Sequence, residues 1–211
     1  MATEPFRFYG TKRGMPGWRF SNFAWSKLVI DGVEYPTSEH YFQTMKFIKT
    51  DPDYAEVVRL SPNPHECKKL SNDRSHPIDP KWNENRIGVM KEVLYYKALQ
   101  NPEFAQDLID TGDRQIIEAS PWDRFWGEGK DRDGQNMLGK LLEELRDRLN
   151  KEYQYTFRDE VPEKVPYRGG DRSGGYRNKG GGGNRPGGYR PRPVNGEEGV
   201  RRRDEDGVES E

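Results

Sequence analysis

Aromatic residues and glycines occupy different parts of this chain, and that separation limits where a core can form. All five tryptophans, Trp18, Trp25, Trp82, Trp122 and Trp126, precede position 130. Thirteen of the 23 glycines fall between Gly169 and Gly207. Over the 211 residues, hydrophobic side chains make up 31% and charged ones 34%, too polar for a uniformly packed globule of this length. The apolar material is concentrated in residues 1–155, enough for one domain with a real core. Residues 156–211 carry Arg168-Gly169-Gly170, Gly174-Gly175-Tyr176-Arg177 and Gly187-Gly188-Tyr189-Arg190, then Arg201-Arg202-Arg203 and an acidic end. Such a tract buries too little to offset its ordering entropy, so a disordered Gly/Arg/Tyr-rich tail is expected.

The charge balance gives no overall pull toward a charged partner. With 35 basic and 36 acidic residues the formal net charge is −1, so no global field draws the chain to nucleic acid or membrane. Cys67 is the single cysteine, which rules out an internal disulfide and points to a reducing compartment. No base that would activate Cys67 lies near it in sequence, so a passive helical residue is expected. No apolar run approaches the roughly 20 residues of a membrane span, and the N-terminus lacks the apolar centre of a signal peptide. The expectation is a soluble, intracellular, cytoplasmic protein.

Local patterns predict a compact, mostly helical α+β domain with a short β-hairpin or small sheet. Phe6-Arg7-Phe8-Tyr9 reads as a strand ended by Gly10. Asp31-Gly32, between Lys27–Ile30 and Val33–Tyr35, is a two-residue hairpin signal. A helix is expected from Ser38 to Lys49. Asp51-Pro52, Ser61-Pro62, Asn63-Pro64, Asp79-Pro80 and Asn101-Pro102 each place a capping side chain before a proline, the pattern of a helix start. They predict helices near 52–60, 64–70, 81–100 and 102–110. Residues 114–119 suggest a strand. A closing helix follows Asn136, with Leu138, Leu141, Leu142, Leu145 and Leu149 as its buried stripe.

Tyr35-Pro36-Thr37-Ser38-Glu39-His40-Tyr41-Phe42-Gln43 holds the strongest chemical signal. Thr37 or Ser38 can cap the helix, and Glu39 then sits in its first turn, where the helix dipole favours an ionised carboxylate. Glu39, Gln43 and Lys46 share one face. An ordinary surface helix with a polar stripe has the same spacing. Three clusters combine charge with aromatics: Phe20-Ser21-Asn22-Phe23 with Glu39; Asp73-Arg74-Ser75-His76-Pro77 followed by Trp82; and Pro121 to Gly129 followed by Gly134-Gln135-Asn136. Cleaving a glycosidic bond needs carboxylates beside an oxocarbenium-like transition state, which Glu39 and Asp123 can supply. Trp82 and Trp126 can stack on a planar base, and Arg74 can receive a phosphate. Each also has a structural reading, as core, loop anchor, turn cap or surface ion pair. His40, His65 and His76 show no metal-ligand spacing. Gly127-Glu128-Gly129 lacks the lysine context of a phosphate loop.

In this order the three clusters resemble the YbiA-like family, also called the NADAR domain. The resemblance runs over roughly residues 5–150. It rests on Phe20 to Phe23, Tyr35 to Gln43 with Lys46-Phe47, Asp73 to Ser75, Trp82, Trp122 to Gly129 and Asn136 to Gly139. It implies an enzyme that hydrolyses N-glycosidic bonds without metal or organic cofactor. The implied substrates are phosphoribosylated intermediates of early riboflavin biosynthesis, the ribosylaminopyrimidine 5′-phosphates. Another branch of the family implies removal of ADP-ribose from guanine bases. The family's essential glutamate corresponds to Glu39, its tryptophan before the long helix to Trp82 and its aspartate before Trp-Gly to Asp123. Arg74, Trp126, Asn22 and Asn136 also match motif positions and are expected to bind substrate.

The Gly/Arg/Tyr tail has no counterpart in the simple bacterial form, and such tails bind RNA through charge and stacking. An RNA-binding protein without chemistry is therefore the alternative from another class, and a purely solubilising tail is a further one. If the tail engages RNA, deleting residues 156–211 leaves thermal unfolding of the domain unchanged and weakens RNA affinity. The full chain's affinity then falls between two salt concentrations, as phosphate contacts require. A filter-binding titration of both chains checks this.

Overall fold

The computed structural model describes residues 3–152, so the tail expected at 156–211 lies outside the described residues. Two chain-distant segments form one small sheet. β1 (Phe6–Phe8) pairs in parallel with β4 (Ile116–Glu118), Phe6 opposite Ile116 and Phe8 opposite Glu118. The other sheet is the expected hairpin, β2 (Leu28–Ile30) antiparallel to β3 (Val33–Tyr35). Asp31 and Gly32 have φ of 52° and 78°, the two positive values that a tight primed turn requires.

Six α-helices lie among the described residues: α1 (Ser38–Thr44), α2 (Pro52–Arg59), α3 (Pro64–Leu70), α4 (Trp82–Gln100), α5 (Pro102–Ile109) and α6 (Met137–Glu152). None of those described is long and apolar enough to cross a membrane. The cap-proline pattern works as expected at two starts. Asp51 accepts a hydrogen bond from the Tyr54 N–H at 3.0 Å, and Asn63 from the Glu66 N–H at 2.9 Å. Elsewhere it differs. Asn101 precedes α5, but its side chain donates backwards to the Lys97 carbonyl at 3.1 Å and closes α4. Ser61 opens no helix, because its hydroxyl donates to the Val58 carbonyl at the end of α2. Asp79 accepts from the Lys81 N–H at 2.9 Å, one residue ahead of the helix it was expected to cap.

The largest departure is α1. It is α-helical only to Thr44, not to Lys49, and all seven of its residues are buried. It packs against α2, α3, α4 and β3, so a helix with a polar stripe lies inside the protein. Burial demands a partner for each polar group. His40 shows how one is provided. Its Nε2 faces the Ser61 carbonyl at 3.2 Å and must donate, which leaves Nδ1 to accept from the Thr37 hydroxyl at 2.8 Å. Burial pushes the His40 pKa down, consistent with this neutral form. Cys67, in the small cluster with Phe47, Tyr54, Ala55 and Val58, is fully buried and its thiol is pushed up to about 12. It is a packing residue, as its surroundings in sequence suggested.

The main core joins Phe8, Phe20, Leu28 and Phe104 to Met90, Val93 and Leu94 of α4 and to the leucines of α6. All five leucines of the predicted α6 stripe are buried. Gly139 lets α6 approach β4. A Cβ there would run into the Ile116 carbonyl oxygen and the Asn136 side chain. Gly139→Ala is therefore expected to destabilise the fold by about 1–3 kcal/mol despite the better helix propensity of alanine. Urea unfolding of the variant against the parent chain measures the difference.

Candidate active site

The site is assembled from the N-terminus of α1 outward. Thr37 caps the helix, accepting from the His40 N–H at 3.3 Å. The next free amide, that of Glu39, donates to the Asn22 carbonyl at 3.0 Å, which ties the Phe20 to Phe23 segment to the helix start. The Glu39 side chain does not look out into solvent, since the residue is 5% exposed. Gln43, one turn on, donates from Nε2 to Glu39 Oε1 at 2.6 Å.

Two opposing effects act on the Glu39 carboxylate. The helix dipole favours its charged form by about 0.3–1 kcal/mol. Removing an ion from water costs several kcal/mol. Burial wins, and the Glu39 pKa is raised, with the nearby Asp123 charge adding in the same direction. The Gln43 hydrogen bond and the Lys68 and Lys46 charges oppose the rise. The helix dipole, which favours the ionised form, is thus opposed by the cost of burial and supported by Gln43, Lys68 and Lys46. Lys46 donates to Ser71 Oγ at 3.2 Å, and burial lowers its pKa.

Around Glu39 lies a cleft of about 230 Å³. One stripe of α4 forms part of its wall: Trp82, Arg86 and Met90, four residues apart. Phe42 of α1 packs against Trp82 at 4.9 Å and edge-on to Trp126 at 5.5 Å, ring centre to ring centre. Trp126 is held by the turn before it, in which Asp123 Oδ1 accepts from the Phe125 and Trp126 amides at 2.9 and 2.7 Å. A Cβ on Gly127 would come within 2.9 Å of the Glu118 carbonyl, so glycine lets this loop lie against the end of β4.

The cleft gathers polar atoms that the protein leaves without partners. Among the described residues, seven buried side-chain atoms lack a hydrogen bond. Four of them, Asn22 Oδ1, Gln43 Oε1, Arg86 Nε and Glu118 Oε2, belong to residues that line the cleft. Unsatisfied buried groups cost about 1–3 kcal/mol each, and their concentration in one hollow marks it as built for a polar ligand. No three His, Cys, Asp or Glu side chains among the described residues are grouped to hold a metal ion.

Of the residues singled out in the sequence, Glu39, Asp123, Trp82, Trp126 and Asn22 all line this cleft. Two do not. Arg74 is exposed on the turn after α3, and the cations that line the cleft are Lys46, Lys68 and Arg86. Asn136 serves the backbone. At φ 48° it accepts from the Glu118 N–H at 3.0 Å and donates to the Ile116 carbonyl at 2.8 Å, locking α6 to β4. An asparagine suits both the left-handed turn and the paired bonds. Sequence reasoning missed Arg86 and Glu118. The spacing from Trp82 contained a signal for Arg86. Glu118 had none, because only the β1–β4 pairing brings the strand end to the cleft.

Residues 7–150 match the family model described as the NADAR domain. The N-glycosidase YbiA of Escherichia coli is 38% identical over 130 residues, covering 62% of this chain and 80% of that protein. A riboflavin biosynthesis protein of Vibrio vulnificus is 33% identical over 136 residues, covering 64% of this chain and 36% of that one. The solution structure of Escherichia coli YbiA aligns with a TM-score of 0.66 at 36% identity, over 72% of this chain and 88% of that one.

Glu118 makes the site sensitive to pH. Burial is the main cause that pushes its pKa up to about 7, and the Asp123 and Glu39 charges add to it. Between the ordinary glutamate value and about 7, the folded chain holds a proton that the unfolded chain has released. Stability from this group is complete below that window and lost as pH rises through it. Glu118→Gln is therefore expected to gain up to about 2–3 kcal/mol relative to the parent chain on going from pH 5 to pH 8. Denaturant unfolding of both chains at the two pH values tests this.

Proposed function

This chain belongs to the NADAR domain family, and from that premise we propose that it is an N-glycosidase of ribosylated heterocycles. The substrates that fit best are the ribosylaminopyrimidine 5′-phosphates of early riboflavin biosynthesis. One observation carries the reading: a carboxylate, Glu39, is buried in a cleft with flat aromatic walls and three cations. A heterocycle stacks against Trp82 and Trp126. The phosphate meets Arg86 and Lys68, the cleft cations that stand where Arg74 was expected. Gln43 occupies Glu39 Oε1 and so leaves Oε2 for the sugar.

As the bond from C1′ to nitrogen lengthens, positive charge develops on the ribose. An ionised Glu39 stabilises that charge within a water-poor site, where Coulomb attraction is strong. The burial that raises its proton affinity also makes it a better base toward the attacking water. Asp123 holds the ribose or the water with the part of its carboxylate that Trp126 does not use. Asn22 offers Oδ1 to a ribose hydroxyl.

The ADP-ribosyl-guanine reading uses the same carboxylate on a larger ligand. A cavity of about 230 Å³ lies below the roughly 300–1,000 Å³ of drug-sized sites, which favours the smaller substrate. Parallel assays on a ribosylaminopyrimidine 5′-phosphate and an ADP-ribosylated oligonucleotide are expected to show faster turnover of the first.

Glu39→Gln keeps the shape and removes the charge. It is expected to fold with equal or greater stability, since a buried ion is lost, while turnover falls about 100-fold or more. Release of free heterocycle by liquid chromatography measures the rate. Parent-level turnover of every ribosylated substrate by this variant would remove Glu39 from the mechanism.

A further inference from the structure

We propose that the Glu118 carboxyl is the proton donor to the departing heterocycle nitrogen, a second catalytic residue that works with Glu39. The proposal rests on the N-glycosidase reading and adds to it the half of the chemistry that Glu39 cannot perform. A heterocyclic amine leaves poorly as an anion. One group must take up the proton of water, and another must deliver a proton to nitrogen.

Geometry singles out Glu118. It is the last residue of β4 and lines the cleft. Its backbone is fixed on both sides, the N–H to Asn136 Oδ1 at 3.0 Å and the carbonyl accepting from the Glu128 N–H at 2.9 Å. The following amide, Ala119, donates to the Phe8 carbonyl at 2.9 Å. The carboxyl is thus carried by a rigid strand end, while its Oε2 is buried and has no partner. For an ionised carboxylate this is a poor environment, because a charged oxygen in the interior wants donors. For a carboxylic acid it is a good one, because the acid has a proton to give and lacks only an acceptor. A nitrogen of the bound heterocycle is that acceptor.

The surrounding charges point the same way. Asp123 from the loop after β4 and Glu39 from α1 both favour the protonated form of Glu118, and Lys68 of α3 opposes them. Lys46 and Arg86 line the same cleft. Glu39, in contrast, has the Gln43 amide bonded to it and Lys68 and Lys46 acting on it. Two carboxyl groups in one cleft therefore have unlike surroundings, one furnished with donors and the other without, which is how acid and base roles are separated.

The electron pair of the C1′–N bond moves onto nitrogen, and nitrogen takes the Glu118 proton. Water adds its oxygen to C1′ and gives a proton to Glu39. One water is consumed, ribose 5-phosphate and the heterocycle leave, and a proton returns from Glu39 to Glu118 through solvent.

The test compares two leaving groups in the full chain. One substrate is a ribosylaminopyrimidine 5′-phosphate, whose nitrogen needs a proton. The other is the 4-nitrophenyl riboside 5-phosphate, whose phenolate leaves without one. Glu118→Gln is expected to lose about 100-fold or more in kcat on the first and to stay within a few-fold on the second. The parent's alkaline loss of kcat is expected to vanish in the variant. Glu118→Asp, which keeps the acid and shortens its reach, is expected to recover part of the rate together with the alkaline limb. Equal losses on both substrates, no loss on either, or an alkaline limb that persists in Glu118→Gln each overturn the donor role while leaving the N-glycosidase reading intact. A parent chain that cleaves neither substrate overturns that reading, and this inference with it.

Discussion

Burial of a carboxylate at the start of an internal helix is the constraint on which the rest of this domain depends. A charge held away from water needs neighbours that compensate it and a backbone that is held in place, and these groups come from four places in the chain. Gln43 bonds to it from the same helix, Lys46 and Lys68 act on it from the turn after α1 and from α3, and the Asn22 carbonyl holds its backbone amide. The fold can be understood as the scaffold that brings these groups together. The cap-proline pairs Asp51-Pro52 and Asn63-Pro64 start α2 and α3, which both pack on α1, and the hairpin delivers the chain to the Thr37 cap.

The same helix explains why the interior is polar on one side and closed on the other. His40 and Thr37 face the turn at Ser61 and satisfy each other there. Glu39 and Gln43 line the cleft, where Gln43 Oε1 has no partner. One face therefore contributes to stability, and the other leaves bonding capacity for a ligand. Phe42 lies between them and presents its ring to Trp82 and Trp126, so the aromatic walls are positioned by the helix that carries the carboxylate.

Much of this was legible in the chain. Helices at 52–60, 64–70, 81–100 and 102–110 and the Asp31-Gly32 turn appear close to where local patterns place them. Each rests on short-range physics: a cap bond, a fixed proline φ, or a positive φ at glycine. The leucine stripe of α6 follows from helical periodicity alone. Misreadings arose where a side chain had two local options. Asn101 and Ser61 precede prolines and so look like caps, yet both turn back to carbonyls of the preceding helix. Arg74 carries a charge beside a motif, but the turn that holds it leaves it exposed. Asn136 belongs to its motif for a backbone reason, as the bolt between α6 and β4.

By itself the sequence determined the element types, the division between an aromatic-rich domain and a glycine-rich segment, and the identity of Glu39 as the residue to watch. These follow from spacing within a few residues, where the chain's own geometry decides. Only the tertiary structure decided that α1 is interior, that Glu39 is therefore desolvated, and that Arg86 and Glu118 share its cleft. The physical reason is distance along the chain. Phe6 pairs with Ile116 across more than a hundred residues, and no local preference encodes which strand end will meet which helix. Desolvation is likewise a property of everything packed around a group, and it opposes what the first helical turn alone would have implied for the carboxylate.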